Sequence, residues 1–191
     1  VPLGGFIQWK LRPGETISAL ATSSILLTLL PIVRHGRLAM LDGTQLSLIA
    51  FLWLLLISIQ DGGKNNWIPF AIGVSISSIL LLKAPLLIPV LLAALIPILL
   101  EGKFTLFIKT HNLSWILLGI SPGVCWHIWH IYLRGENGLW LWGGDGLLRV
   151  LFDAGEGSHL GPLVPLIEIF EGGWPWLLLW PFGIMLGWMR R

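Results

Sequence analysis

Six apolar stretches account for most of the chain: Ile17–Val33, Leu46–Ile59, Trp67–Leu82, Leu86–Leu100, Leu113–Tyr132 and Trp174–Met189. Runs of this kind limit the fold severely, because they must lie in apolar surroundings with every backbone polar group paired internally. Several fall short of the ~20 residues of a full bilayer span, which tilted or broken helices in a bundle accommodate. Pro31, Pro85, Pro89, Pro97, Pro122, Pro175 and Pro181 lie in or beside these stretches. Soluble helices rarely accept proline there, whereas in membrane helices neighbouring groups re-satisfy the freed carbonyls. Only 12% of residues are charged, against about 25% for a soluble domain. These features predict an all-α, polytopic transmembrane bundle of about six spans, forming a single domain over residues 1–191 with one long polar loop over 134–173.

A net charge of +2 without basic runs argues against nucleic-acid binding. Cys125 is the single cysteine, so neither a disulfide framework nor a cysteine-based metal site is expected. Trp67, Trp115, Trp140, Trp142, Trp174 and Trp176 fall near the ends of apolar runs, where amphipathic rings settle at headgroup level. The chain opens on Val1-Pro2 and closes on Arg190-Arg191 directly after an apolar run, the pattern expected of a piece of a longer membrane protein.

Lys and Arg placement suggests an orientation. With the segment before Ile17 inside, seven cations (Lys10, Arg12, Lys64, Lys103, Lys109, Arg190, Arg191) lie inside and five (Arg34, Arg37, Lys83, Arg134, Arg149) outside. Of the outside five, Arg134 and Arg149 belong to the long loop, where the rule carries less weight. Arg34, Arg37 and Lys83 break it in short connections. Acidic residues are lopsided: Asp42, Glu136, Asp145, Asp153, Glu156, Glu168 and Glu171 outside, Glu15, Asp61 and Glu101 inside. Acids and bases thus converge on one face, as a site at that surface requires.

Four segments carry the candidate chemistry. In Arg34-His-Gly-Arg37-Leu-Ala-Met-Leu-Asp42-Gly-Thr-Gln45, Asp42 fits a helix N-cap and Asp-x-x-Gln a capping box, with the arginines snorkelling. The same acid and two arginines would also suit a polar or anionic substrate. In Leu82-Lys83-Ala84-Pro85, proline opens a helix after a tight turn, and Lys83 is either an interface anchor or a phosphate contact. The third, from Gly146 to Pro162, holds Arg149, Asp153, Glu156 and His159 among glycines, too sparsely for a zinc site. His127 and His130, three apart on one helix, lack an acidic partner nearby and read as packing or interface residues. The fourth, Gly173-Trp174-Pro175-Trp176, reads as an interfacial helix entry.

Taken in order, these segments resemble bacterial integral-membrane glycosyltransferases of family 39, the polyprenyl-phosphate-sugar-dependent group of the GT-C class. That group includes protein mannosyltransferases and the aminoarabinose transferase of lipid A. The resemblance rests on residues 34–45, 82–85 and 147–162, on Glu168, and on Trp-Pro-Trp at 174–176. It implies a helix bundle in the bacterial inner membrane with its site at the extracytoplasmic face. It also implies an inverting transfer from a polyprenyl-phosphate-linked sugar, whose lipid tail lies between helices, to a protein, lipid or glycan acceptor. In that group Lys83 and Arg149 match cations that stabilise the leaving phosphate. Asp42 matches an acidic catalytic position that orients sugar or acceptor. Glu156 and His159 would border the donor, and Arg37 is a candidate substrate-binding residue. No residue is assigned to a metal, and the resemblance leaves a divalent cation open.

Two departures stand out. The outer loop that carries the group's catalytic base has no counterpart before Ile17. After Gly161-Pro162 the chain reads Leu163-Val164-Pro165-Leu166-Ile167 where the group has an aromatic run. A transporter-like bundle and a non-catalytic or truncated membrane subunit are the alternatives. The first calls for ionisable residues at mid-span, whereas here the charges gather at the ends.

Overall fold

The computed structural model describes residues 1–29, 32–33, 41–60, 67–100, 102, 109–135 and 164–189. Every regular element among them is helical. They are α1 (Pro2–Leu11), α2 (Thr16–Thr28), α3 (Leu41–Gln60), α4 (Trp67–Lys83), a 3-10 turn (Ala84–Leu86), α5 (Leu87–Leu100) and α6 (Thr110–Arg134), then α7 (Val164–Gly173), a second 3-10 turn (Trp176–Leu179) and α8 (Trp180–Met189). The stretches at 67–82, 86–100 and 113–132 coincide with helices within three residues, α3 begins five residues before Leu46, α2 ends at Thr28 with residues 30–31 of its stretch outside the described residues, and the last stretch divides into a turn and α8. Two helices have no counterpart among those stretches. α1 precedes them, and α7 occupies the end of the segment read as loop, with Pro165 at its second position, where a missing N–H costs nothing.

α1 and α2 form an antiparallel pair. Gly4 lies against Leu26, and Gly5 against Ser23 and the Ala19 backbone, so a Cβ on Gly5 would sit 2.9 Å from the Ala19 carbonyl oxygen. α3 and α4 are separated by six residues and pack on each other, an arrangement that runs them antiparallel. Their shared core joins Leu52, Leu55, Leu56 and Ile59 of α3 to Ile68, Ile72, Ile76 and Ile79 of α4. Both sets recur at three- and four-residue steps, the stripe by which one helix face meets another.

The closest approach is between α4 and α6. Gly73 meets the backbone of Ile116 and Gly119; Gly119 meets the backbone of Phe70, Gly73 and Val74; Gly123 meets Ser77. A Cβ at Gly119 would sit 2.8 Å from the Val74 nitrogen. The partners advance together along both chains, so α4 and α6 run parallel. Each contributes two small residues four apart, Gly73/Ser77 and Gly119/Gly123, the spacing that lets helix backbones touch.

Pro122 sits inside α6 and removes one backbone donor. The Leu118 carbonyl that it deprives accepts a hydrogen bond from Ser121 Oγ at 2.7 Å. The next amide, Gly123 N–H, donates to Ser77 Oγ across the interface at 2.8 Å in a buried position. Ser75 and Ser78 of α4 instead donate to carbonyls of their own helix, at Ala71 and Val74. Ser77 is therefore the α4 hydroxyl that ties the two helices.

At Lys83 the backbone leaves helical dihedrals (φ −159°, ψ 84°) and the 3-10 turn with Pro85 follows. α5 then folds back: Leu87 and Leu91 line one groove with Ile76 and Leu80 of α4 and Ile120 and Val124 of α6. The C-terminal elements join through Trp176, whose Nε1–H donates to Thr28 Oγ1 of α2 at 2.9 Å.

Among the described residues two helical stretches are long and apolar enough to cross a membrane, Trp67–Leu100 (34 residues, with the turn at Ala84–Leu86 inside it) and His111–Arg134 (24 residues). Thr16–Thr28, Gly43–Ile59 and Trp176–Leu186 are shorter apolar helices. Only 28% and 22% of the two long windows is buried. The core helix of a soluble protein is mostly buried, whereas Leu117, Ile128, Leu99 and Phe182 here point outward. Exposed apolar side chains along these helices favour membrane association.

Gly119→Leu is expected to force α4 and α6 apart and to lower stability by about 1–3 kcal/mol or more, the scale of overpacking in a close contact. Gly183→Ala, at a position with open space around it, should leave stability nearly unchanged. Thermal unfolding followed by tryptophan fluorescence distinguishes them. Equal stability in the two variants would mean that the helices are not in backbone contact.

Candidate functional site

The helix registers decide which polar residues share an end of the bundle. The six-residue link puts Gln60 and Trp67 near one level. Lys83 lies sixteen residues beyond Trp67, and Thr44 sixteen before Gln60. At ~1.5 Å per residue both are about 24 Å from the link and hence nearly level. On α6, His127 is bonded to Leu80 of α4, so three residues further on His130 is level with Lys83, and Arg134 is one turn beyond. Asp42, Gln45, Lys83, His127, His130 and Arg134 therefore occupy one end of the α3–α4–α6 bundle. Trp67, Trp115 and His111 belong to the other.

α4 and α6 both terminate at this polar end, and each has a cation in its last turn, Lys83 and Arg134. Parallel helices place two negative dipole ends side by side, and positive charge there is favourable. Lys83 is exposed, which leaves its ammonium available to an anionic group while it complements the helix end. α6 closes through Gly135 in the left-handed region (φ 57°), whose amide donates to the Ile131 carbonyl at 2.8 Å. A residue with a Cβ would be strained there.

His127 is buried, and its Nε2 donates to the Leu80 carbonyl oxygen at 3.1 Å. A carbonyl only accepts, so the proton in this bond belongs to the imidazole. Trp126 contacts both His127, edge-on (4.8 Å between centroids), and His130, stacked (5.0 Å, 11°). Both imidazoles thus have packing partners, in line with the sequence-based reading of them as packing residues. Among the described residues no three metal-ligating side chains come together.

The sequence-derived site residues divide as follows. Asp42 is the second described residue of α3; its side chain, and the segment before Leu41 on which its expected role as a cap depends, lie outside the described residues. Lys83 is at the same end. Arg37, Arg149, Glu156 and His159 lie outside the described residues, and the segment holding the last three departs from the Arg134 end of α6. Sequence reasoning gave Gln45 the second half of a capping box. In the structure its side chain is only 5% exposed, and it makes no hydrogen bond to any described residue. The interlocking Gly73/Ser77 and Gly119/Gly123 pairs were also overlooked, although their four-residue spacing is plain in the sequence.

Apolar grooves among the described residues flank the bundle. One, of about 490 Å³, runs between α4, α5 and α6 and reaches His127. Another, of about 940 Å³, lies between Ile25 and Leu29 of α2 and Ile169, Trp176, Trp180 and Ile184 of the C-terminal helices.

The shared end is open to labelling. In chains carrying Cys125→Ser, single cysteines replacing Lys83 and Arg134 are expected to react with a membrane-impermeant maleimide from one side of the bilayer. A cysteine replacing His111 should react from the other. Labelling of positions 83 and 134 from opposite sides would contradict the parallel register.

Comparison with protein-family models, with curated proteins and with solved structures found no match.

Proposed function

We propose that this chain is the core of a membrane glycosyltransferase that moves a sugar from a polyprenyl-phosphate donor to an acceptor at the extracytoplasmic face of the bacterial inner membrane. The observation that carries this reading is the common level of Asp42 and Lys83 at one end of the bundle, beside the point where the segment with Arg149, Glu156 and His159 leaves α6. The proposed whole is a six-span bundle of the GT-C type, with this end facing outward.

In the reaction an acceptor hydroxyl or amine attacks the anomeric carbon, and the bond from that carbon to the phosphate oxygen breaks. The electron pair leaves with the polyprenyl phosphate, so negative charge grows on that group in the transition state. Lys83 and Arg149 stabilise it, a role that fixed cations in a water-poor site perform well. Asp42 orients the sugar or acceptor, Glu156 and His159 border the donor, and Arg37 binds substrate. The acceptor's proton passes to a general base, which the resemblance assigns to an acidic residue of an outer loop with no counterpart before Ile17. The apolar grooves offer room for a polyprenyl tail. Charge at the helix ends, with mid-spans free of it, favours this reading over a transport pathway.

Lys83→Ala and Arg149→Ala in the full-length protein should each lower sugar transfer by about 100-fold or more, the scale of losing one preorganised electrostatic contact, with unfolding temperature unchanged. Transfer assays with a panel of polyprenyl-phosphate sugars provide the test. Full turnover in both variants would overturn the proposal.

A further inference from the structure

We infer that Gln45 is a sugar-contacting residue of this site, whose buried carboxamide hydrogen-bonds hydroxyl groups of the donor. The inference rests on the glycosyltransferase reading and adds a residue which that reading did not contain. Three observations lead to it. Gln45 is 5% exposed and makes no hydrogen bond to any described residue. A carboxamide has two N–H donors and a carbonyl acceptor, and burying it unpaired is unfavourable, so such a group calls for a polar partner. By helix register it is nearly level with Lys83, at the end of the bundle where cations suit a phosphate, and it lies one turn beyond Asp42 on α3.

The buried polar groups elsewhere in the bundle are accounted for differently. Ser75 donates to its own helix, Ser77 accepts from Gly123, and His127 donates to Leu80. Gln45 stands apart among the buried polar side chains described. Its chemistry fits a neutral polyhydroxyl ligand better than an anion, because donor and acceptor sit on one rigid plane and match adjacent hydroxyls. With Lys83 addressing the phosphate, Gln45 would address the sugar attached to it. That division makes Gln45 a determinant of which sugar is accepted.

The experiment uses the full-length protein in nanodiscs prepared without sugar-based detergents, as wild type and as Gln45→Met, which keeps length and volume while removing the amide. Unfolding temperature is measured alone, with farnesyl phosphate, and with farnesyl-phosphate-linked sugars. Gln45→Met is expected to be as stable as wild type or more so, since a buried amide with no hydrogen bond to a described residue is lost. It should keep the stabilisation due to farnesyl phosphate and lose the increment due to the sugar, corresponding to roughly tenfold weaker binding or more of the sugar-bearing lipid. A fall in the ligand-free unfolding temperature, or failure to fold, would show a partner within the protein and overturn the inference. Retention of the full sugar increment would overturn it while leaving the donor reading intact. A wild type that responds to neither farnesyl phosphate nor any sugar-bearing form would remove the donor reading, and this inference with it.

Discussion

The contact of α4 with α6 through bare backbone is the constraint on which the rest depends. Gly73 and Gly119 leave no room for a Cβ on either side, so the two axes come close enough for Ser77 to reach the Gly123 amide. That approach fixes the register, and the register sets which residues meet at the ends. The first consequence is that two helices separated by α5 in sequence run parallel, with Lys83 and Arg134 in their last turns at one end. In apolar surroundings the gain comes less from burying apolar area than from close packing and from satisfied polar groups. The α4–α6 seam supplies both.

Pro122 shows how a destabilising residue is absorbed. It removes a donor that Leu118 would have used, and Ser121 answers within the helix. It loosens the helix at the amide of Gly123, which Ser77 then takes from outside. One turn further on, His127 makes the same kind of bridge to the Leu80 carbonyl. The polar side chains of the seam thus serve as interhelical ties. Against that background a buried amide with no described partner, Gln45, differs in kind.

Much of the architecture was legible in the sequence because apolar runs and helices share a cause: a backbone that must pair its own polar groups when it leaves water. The ends of Trp67–Lys83 and Thr110–Arg134 were found within three residues on that basis. α1 was not foreseen, since glycines at 4 and 5 and the polar Gln8 and Lys10 interrupt its apolar pattern. α7 was hidden by its acidic residues. The cap assigned to Asp42 concerns the segment before Leu41, which lies outside the described residues. Lys83 was singled out as an exception to the charge rule, and its place at a helix end beside the α6 terminus follows from the fold. Gln45 could not be found this way, because burial is a tertiary property and a glutamine near a helix start reads as a cap.

The most direct measurement of the central contact is a pair of distances. On a Cys125→Ser background, spin labels replacing Lys83 and Arg134 are read by pulsed electron resonance in bilayers, and compared with labels replacing Trp67 and Arg134. A parallel α4–α6 pair puts the first two about 6 Å apart along the axis and the second two about 30 Å apart, so the 83–134 distance should be clearly the shorter. A shorter 67–134 distance would mean that the helices run in opposite directions, and the common polar end would not exist.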